Sequence, residues 1–113
     1  MSKNIYVNAL AFNNIKNKKK TIEGRIKKGL FNNIIVGEIV NFICNKTNTK
    51  CIAKITKINT YNSVYDFLKS EKIYKIIPYS NDYDDALNIY NKHYGEKLKN
   101  KSYKFIAIYV IVH

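Results

Sequence analysis

Four stretches of the 113-residue chain predict an α+β fold, a small β-barrel with two or three helices. Glu38 to Cys44 and Cys51 to Tyr61 are rich in β-branched residues and flank the polar run Asn45 to Lys50, the pattern of a hairpin. Asp82 to Tyr94 places apolar residues at helical spacing. Tyr103 to Val112 is apolar on both alternating faces, as in a central or barrel-closing strand. Strands, then helices, then a strand that must rejoin the first sheet make α+β.

The other elements follow in chain order. Ile5-Tyr6-Val7 reads as a short first strand, and Ala11 to Asn17 as a short helix or turn whose Asn content argues against length. Lys20 to Ile26 reads as a strand. Lys27 to Val36 is a loop anchored by Leu30, Phe31 and Ile34. Ser63 is a good N-cap, after which Val64, Phe67 and Leu68 line one helical face; Ile76-Ile77-Pro78 ends that region. Asp82, Asp84 and Asp85 suit the positive end of the Asp82–Tyr94 helix dipole, and Gly95 can close it. Ala86, Leu87, Ile89, Tyr90 and Tyr94 form its buried stripe. Lys97 to Ser102 is a polar loop. One domain accounts for this length.

Composition narrows the function classes. No apolar run reaches the roughly 18 residues of a membrane span, and the N-terminus lacks a secretory pattern. An intracellular, cytoplasmic protein is expected, with no membrane association. Richness in Lys, Asn, Ile and Tyr fits an AT-rich genome of an organism or virus. Cys44 and Cys51 flank the hairpin turn. They are read as reduced thiols, with a disulfide as the alternative. With His93 and His113 they lack zinc-site spacing, so no metal is expected. No cofactor is expected either: neither a phosphate-cradling Gly-rich loop nor a Ser-His-Asp or Cys-His order is present. The net charge is +12, and residues 1 to 57 carry 12 Lys and Arg against two acids. Such a basic half suits a phosphate-bearing polyanion; a merely solvated surface is the plain alternative.

Lys20-Thr21-Ile22-Glu23-Gly24-Arg25 is the one cluster with chemical content. On a strand Glu23 and Arg25 share a face and can pair, with Lys20 leaning in from the strand entrance. Lys20 reads as a base or nucleophile if Arg25 dominates its surroundings, or as an anchor if Glu23 does. Glu23 reads as the structural partner of Arg25 or as a general acid or base. Arg25 suits phosphate or a base edge. Lys16, Lys18, Lys19 and Lys20 lead into the cluster and could grip phosphate. Glu71 is either a helix-surface residue or a second carboxylate of the cleft. Among the tyrosines, Tyr90 and Tyr94 read as core, and Tyr61, near a strand end, as a candidate for stacking on a base.

Lys20-x-x-Glu23-x-Arg25, preceded by Ala11-Phe12 and Ile15, resembles the motif of the ASCH domain, a member of the PUA-like superfamily of small β-barrels. Gly37-Glu38-Ile39-Val40-Asn41-Phe42, Ile55-Thr56-Lys57-Ile58 with Tyr61, and Ala107-Ile108-Tyr109-Val110 resemble its strands. Phe67-Leu68, Glu71, Pro78 and Ala86-Leu87-Asn88-Ile89-Tyr90 resemble a helical insert of one bacterial and viral branch. The family usually has Gly where Lys18 stands, so the turn here is expected to avoid a glycine-only conformation. The resemblance implies a PUA-like barrel that binds RNA or a modified nucleotide, with Lys18, Lys19, Lys20, Arg25 and Tyr61 as ligand-binding candidates. It also implies an alternative. One branch hydrolyses the acetyl amide of N(4)-acetylcytidine with the motif Lys, a Thr three residues on and a later Glu, and another acts as a ribonuclease. Carried over, the catalytic candidates are Lys20, Glu23 and Glu71, and Glu23 departs from the Thr of that pattern. A third reading is a basic interaction domain for an acidic protein partner.

Overall fold

A computed structural model of the protein describes residues 2–80, 82–100 and 102–113. Five strands form one mixed sheet that curls into a half-barrel: β1 (Lys3–Val7), β2 (Ile22–Ile26), β3 (Ile39–Cys44), β4 (Lys50–Tyr61) and β5 (Phe105–Val112), in the spatial order β1-β3-β4-β5-β2. β1 runs parallel to β3, and the other pairings are antiparallel. Among the described residues four helices accompany the sheet: α1 (Ala9–Lys16), α2 (Val64–Ser70), α3 (Ile73–Ile76) and α4 (Tyr83–Tyr94). The one-turn α3 adds one helix to the expected two or three. Short 3₁₀ segments occupy Gly29–Asn32 and Gly95–Lys99. Among the described residues no helix is long and apolar enough to cross a membrane.

β5 divides two cores, as its two apolar faces require. Ile106, Ile108 and Val110 join Ile5, Val40, Phe42 and Ile55 inside the curl, closed by Phe12 and Ile15 of α1. Phe105 and Ala107 join Ile22, Ile26, Phe67, Leu68 and Tyr90 beneath α2 and α4. Asn8 caps α1, and Ser63 and Asp82 cap α2 and α4 by accepting backbone N–H groups. The helix α1 therefore starts two residues earlier than its apolar residues suggest. Ile34 is buried, and Leu30 and Phe31 pack against the first core, so the 27–36 loop is anchored as expected. Both cysteines are free and buried. Cys51 lies opposite Phe42 rather than Cys44, which makes the two thiols diagonal neighbours on one face.

Register decides what β2 presents. Ile22, Gly24 and Ile26 lie opposite Tyr109, Ala107 and Phe105, on the helix side; Glu23 and Arg25 lie opposite Ile108 and Ile106, facing the curl. Gly24 is required by close approach. A Cβ there would stand 2.5 Å from the Phe67 ring and 2.7 Å from the Tyr90 hydroxyl. Lys18 corrects the sequence expectation, because it does adopt the left-handed conformation that favours glycine, with φ 65°. Its amide is bonded to the Ile15 carbonyl at 3.0 Å in the turn that ends α1, and that turn holds the strain.

Two stability outcomes follow. Gly24→Ala overpacks a site walled by a fully buried ring and should cost about 2 kcal/mol in chemical denaturation. Lys18→Gly should instead raise stability by up to about 1 kcal/mol, the relief of left-handed strain less the added freedom of the unfolded chain.

Candidate functional site

β1 and β2 are the two edges of the sheet, and the site lies where they approach. Three charged side chains from one six-residue stretch hold it together. Glu23 is buried and accepts the Arg25 Nε–H at 2.6 Å through Oε2. Its Oε1 pairs with the Lys20 ammonium at 3.1 Å. Arg25 then reaches across the gap and donates from Nη2 to the Tyr6 carbonyl at 2.7 Å, tying the edge of β2 to that of β1. The Phe31 ring covers the guanidinium, 5.0 Å from its centre.

Lys20 is as buried as Glu23. Besides the carboxylate, its ammonium donates to the carbonyls of Ile22 at 2.9 Å and Ile76 at 2.7 Å. Three N–H donors thus meet three acceptors of the fold. The backbone repeats the tie: the amides of Lys19 and Lys20 bond the Asn14 carbonyl of α1, and the Thr21 amide bonds the Lys75 carbonyl of α3. Lys20 just precedes β2 and leans into the same opening as Glu23 and Arg25.

The electrostatics follow from two cations around one carboxylate. Burial by itself would raise the Glu23 pKa, but the Lys20 and Arg25 charges outweigh it and hold the carboxyl at about 2. Burial pulls the Arg25 guanidinium down, and Glu23 overcomes this and raises it. The cluster carries a net single positive charge, with its carboxylate fully engaged.

This cluster floors a cavity of about 320 Å³. Its walls come from distant segments: Asn8 and Asn14 at the ends of α1, Tyr79 after α3, and Tyr90, His93 and Tyr94 of α4. The Tyr90 and Tyr94 rings are parallel to within 3°, and the His93 ring meets Tyr94 edge-on at 4.7 Å. Burial pushes the Tyr94 hydroxyl up to about 12. Tyr90 and Tyr94 pack against Phe105 as core residues, as expected from the helix stripe, and they also wall the cavity. Sequence reasoning missed Tyr79, His93 and the three asparagines Asn8, Asn14 and Asn45. No spacing rule connects them, because four separate segments deliver them.

Other candidate residues lie elsewhere. Lys18 and Lys19 are exposed in the turn before the cluster. Glu71 does not line the cavity and shares no hydrogen-bond partner with Lys20. It follows α2 and accepts from Asn59 Nδ2 at 2.9 Å and from the hydroxyls of Tyr61 and Tyr109. Burial would raise Glu71, yet these donors hold it below the usual carboxylate range. Tyr61 is likewise outside the cavity, with its ring tilted against Phe67 at 6.1 Å; burial and the Glu71 carboxylate push its hydroxyl up to about 12. Buried Glu71 and half-buried Tyr61, Tyr109 and Asn59 form a second polar group, separate from the Lys20 cluster. No cluster of His, Cys, Asp and Glu able to hold a metal is present among the described residues.

No family model matches the chain, and no curated protein matches it. Solved structures do. The chain is 26% identical to the hypothetical protein PH0355 over all of both chains, with a TM-score of 0.87. It is 14% identical to the ASCH protein of Zymomonas mobilis, covering 96% of this chain and 65% of that one, with a TM-score of 0.67. It is 16% identical to the ASCH domain of Lactobacillus crispatus JV V101, covering 97% of this chain and 78% of that one, with a TM-score of 0.57. The fold is therefore that of these ASCH structures, α+β, as the sequence resemblance implied.

The Glu23 geometry generates a pH prediction. The folded pKa of about 2 lies below the ordinary value of 4.5, so the unfolded chain binds a proton first as the medium acidifies. Stability from this group is complete above about pH 4.5 and is lost as the pH falls toward 2. The loss should be on the order of 3 kcal/mol, read from urea midpoints across that window. Glu71 shifts in the same direction. The loss should therefore persist in Glu71→Gln, though reduced.

Proposed function

We propose that this ASCH-fold protein binds single-stranded RNA or a modified nucleotide within it, one base entering the cavity above Arg25. The observation that carries this reading is a small aromatic-walled cavity whose floor is cationic and whose one carboxylate is already paired. A volume of about 320 Å³ is at the small end for ligand cavities and suits one nucleoside rather than a chain. Tyr79 is exposed at its rim and offers a ring for stacking. Arg25 spends Nε and one Nη on the fold; the rest of its guanidinium is left for a base edge or phosphate. Lys18 and Lys19, exposed beside the opening, supply phosphate contacts, and the +12 net charge steers a polyanion toward it.

Geometry favours binding over hydrolysis. A nucleophilic lysine must offer a lone pair toward substrate. The Lys20 ammonium is instead directed at a carboxylate and two carbonyls of the fold. Glu71, carried over as the later Glu of the hydrolytic pattern, does not line the cavity and is engaged by Asn59, Tyr61 and Tyr109. In the binding reading Lys20 and Glu23 are positioning residues that aim Arg25, and Tyr61 and Glu71 belong to the support of the sheet.

Short single-stranded RNA should bind, with log Kd against log salt rising at a slope near 3 for about four phosphate contacts. Tyr79→Ala should weaken binding by about 1–3 kcal/mol, the worth of one stacked base, without lowering the melting temperature appreciably. Fluorescence anisotropy over a salt series reads both. RNA affinity that is flat with salt, or absent at low salt, would overturn this reading and leave a basic surface for acidic proteins.

A further inference from the structure

We propose that a second, lysine-lined cavity at the far end of β2 binds the phosphodiester backbone of the same RNA strand whose base enters the first cavity. The inference rests on the RNA-binding reading above and extends its footprint. The second cavity, of about 550 Å³, lies between the start of α2, the 3₁₀ segment after α4, and the start of β5. Lys97, Lys99 and Lys104 line it together with Tyr65 and Tyr103, and no carboxylate is among its lining residues.

Lys97 and Lys104 make no ion pair among the described residues. Lys99 is drawn off by an exposed pair with Glu96 at 3.3 Å. Lys104 is instead steadied by a neutral acceptor, donating to Asn62 Oδ1 at 2.8 Å, and so is held in place with its charge intact. Lys28 adds a fourth cation, its ammonium 5.1 Å from the centre of the Tyr103 ring. Two side-chain acceptors of the lining are already engaged: Asn62 Oδ1 takes Lys104, and Asn100 Oδ1 takes both the amide and the hydroxyl of Ser102. Ammonium groups beside engaged acceptors suit an anion, and phosphate is the anion that RNA repeats.

Two elements connect this cavity to the first. β2 gives Glu23, Gly24 and Arg25 to one and Ile26 to the other. The α4 helix gives Tyr90, His93 and Tyr94 to the first, and the 3₁₀ segment that continues it gives Lys97 and Lys99 to the second. Past Ile26 the chain bends at Lys27, where the Lys28 amide bonds the Ile26 carbonyl at 2.9 Å, and the Lys28 ammonium comes over the Tyr103 ring of the second cavity. A strand with a base above Arg25 that follows this edge past Ile26 would lay its neighbouring phosphates along Lys104 and Lys97.

The test compares the wild type with the double variant Lys97→Ala/Lys104→Ala. Its probes are a nucleoside monophosphate and a single-stranded RNA of about six nucleotides. Both lysines are exposed, so the variant should melt with the wild type. Its affinity for the longer RNA should fall roughly tenfold at low salt. The salt slope should shrink by about 1.4, for two lost phosphate contacts on a single strand. Monophosphate binding should be unchanged. In the wild type, amide resonances of Asn62 to Tyr65 should move with the longer RNA and not with the monophosphate. A variant with wild-type affinity and slope, while Tyr79→Ala still weakens binding, overturns the second site and leaves the first standing. A wild type that binds neither probe overturns both.

Discussion

A buried carboxylate held between two cations organises this molecule. Glu23 binds Lys20 on one side and Arg25 on the other, and each cation passes the constraint onward. Lys20 fastens the start of β2 to α3 through the Ile76 carbonyl, and Arg25 fastens the edge of β2 to that of β1 through the Tyr6 carbonyl. The two edges of the sheet are thus joined by side chains where no ladder exists. Such a group is costly to desolvate and need not add net stability over an apolar replacement. Its geometric demand is strict, because any member left alone would be a buried uncompensated charge. The result is a guanidinium held in one orientation at the mouth of the half-barrel.

The same strand serves two masters because of its period of two. Glu23 and Arg25 face the curl, while Ile22, Gly24 and Ile26 face the helices. Gly24 lets the Phe67 ring and the Tyr90 hydroxyl come against the strand, which brings α4 close enough for its aromatic side chains to wall the cavity. Site and core are thus coupled through one residue without a side chain. A β5 strand buried on both faces completes the arrangement, separating the core within the curl from the core beneath the helices. Glu71, with Asn59, Tyr61 and Tyr109, staples the end of α2 to β4 and β5 on the helix side.

Local pattern made much of this visible in the sequence. The pairing of Glu23 with Arg25 and the proximity of Lys20 follow from spacing along one strand and its entrance, which tertiary structure can hardly alter. The hairpin of β3 and β4, the α4 helix with its cap, and the doubly apolar β5 are likewise properties of contiguous residues. Glu71 and Tyr61 show the limit. Each was a sensible candidate by residue type, yet their mutual hydrogen bond and their shared partners depend on where α2 meets the sheet. Lys18 shows another limit: the turn after α1 imposes a positive φ that residue preference argues against, because the amides of Lys18, Lys19 and Lys20 are all drawn to carbonyls of α1.

What the sequence by itself determined is the α+β class, the strands, the α2 and α4 helices, the basic character of the first half and the charged triad at one strand and its entrance. Those features live within short spans, where backbone period and side-chain chemistry suffice. Tertiary structure alone decided the strand order, with β1 beside β3 and β2 at the opposite edge, and through it the cavity. Tyr79, His93 and Asn14 have no relation along the chain; they meet because the curl of the sheet brings two unpaired edges together and α1 and α4 pack on either side of the gap. It also decided the surroundings of Lys20, since the Ile76 carbonyl that takes its third N–H lies 56 residues away.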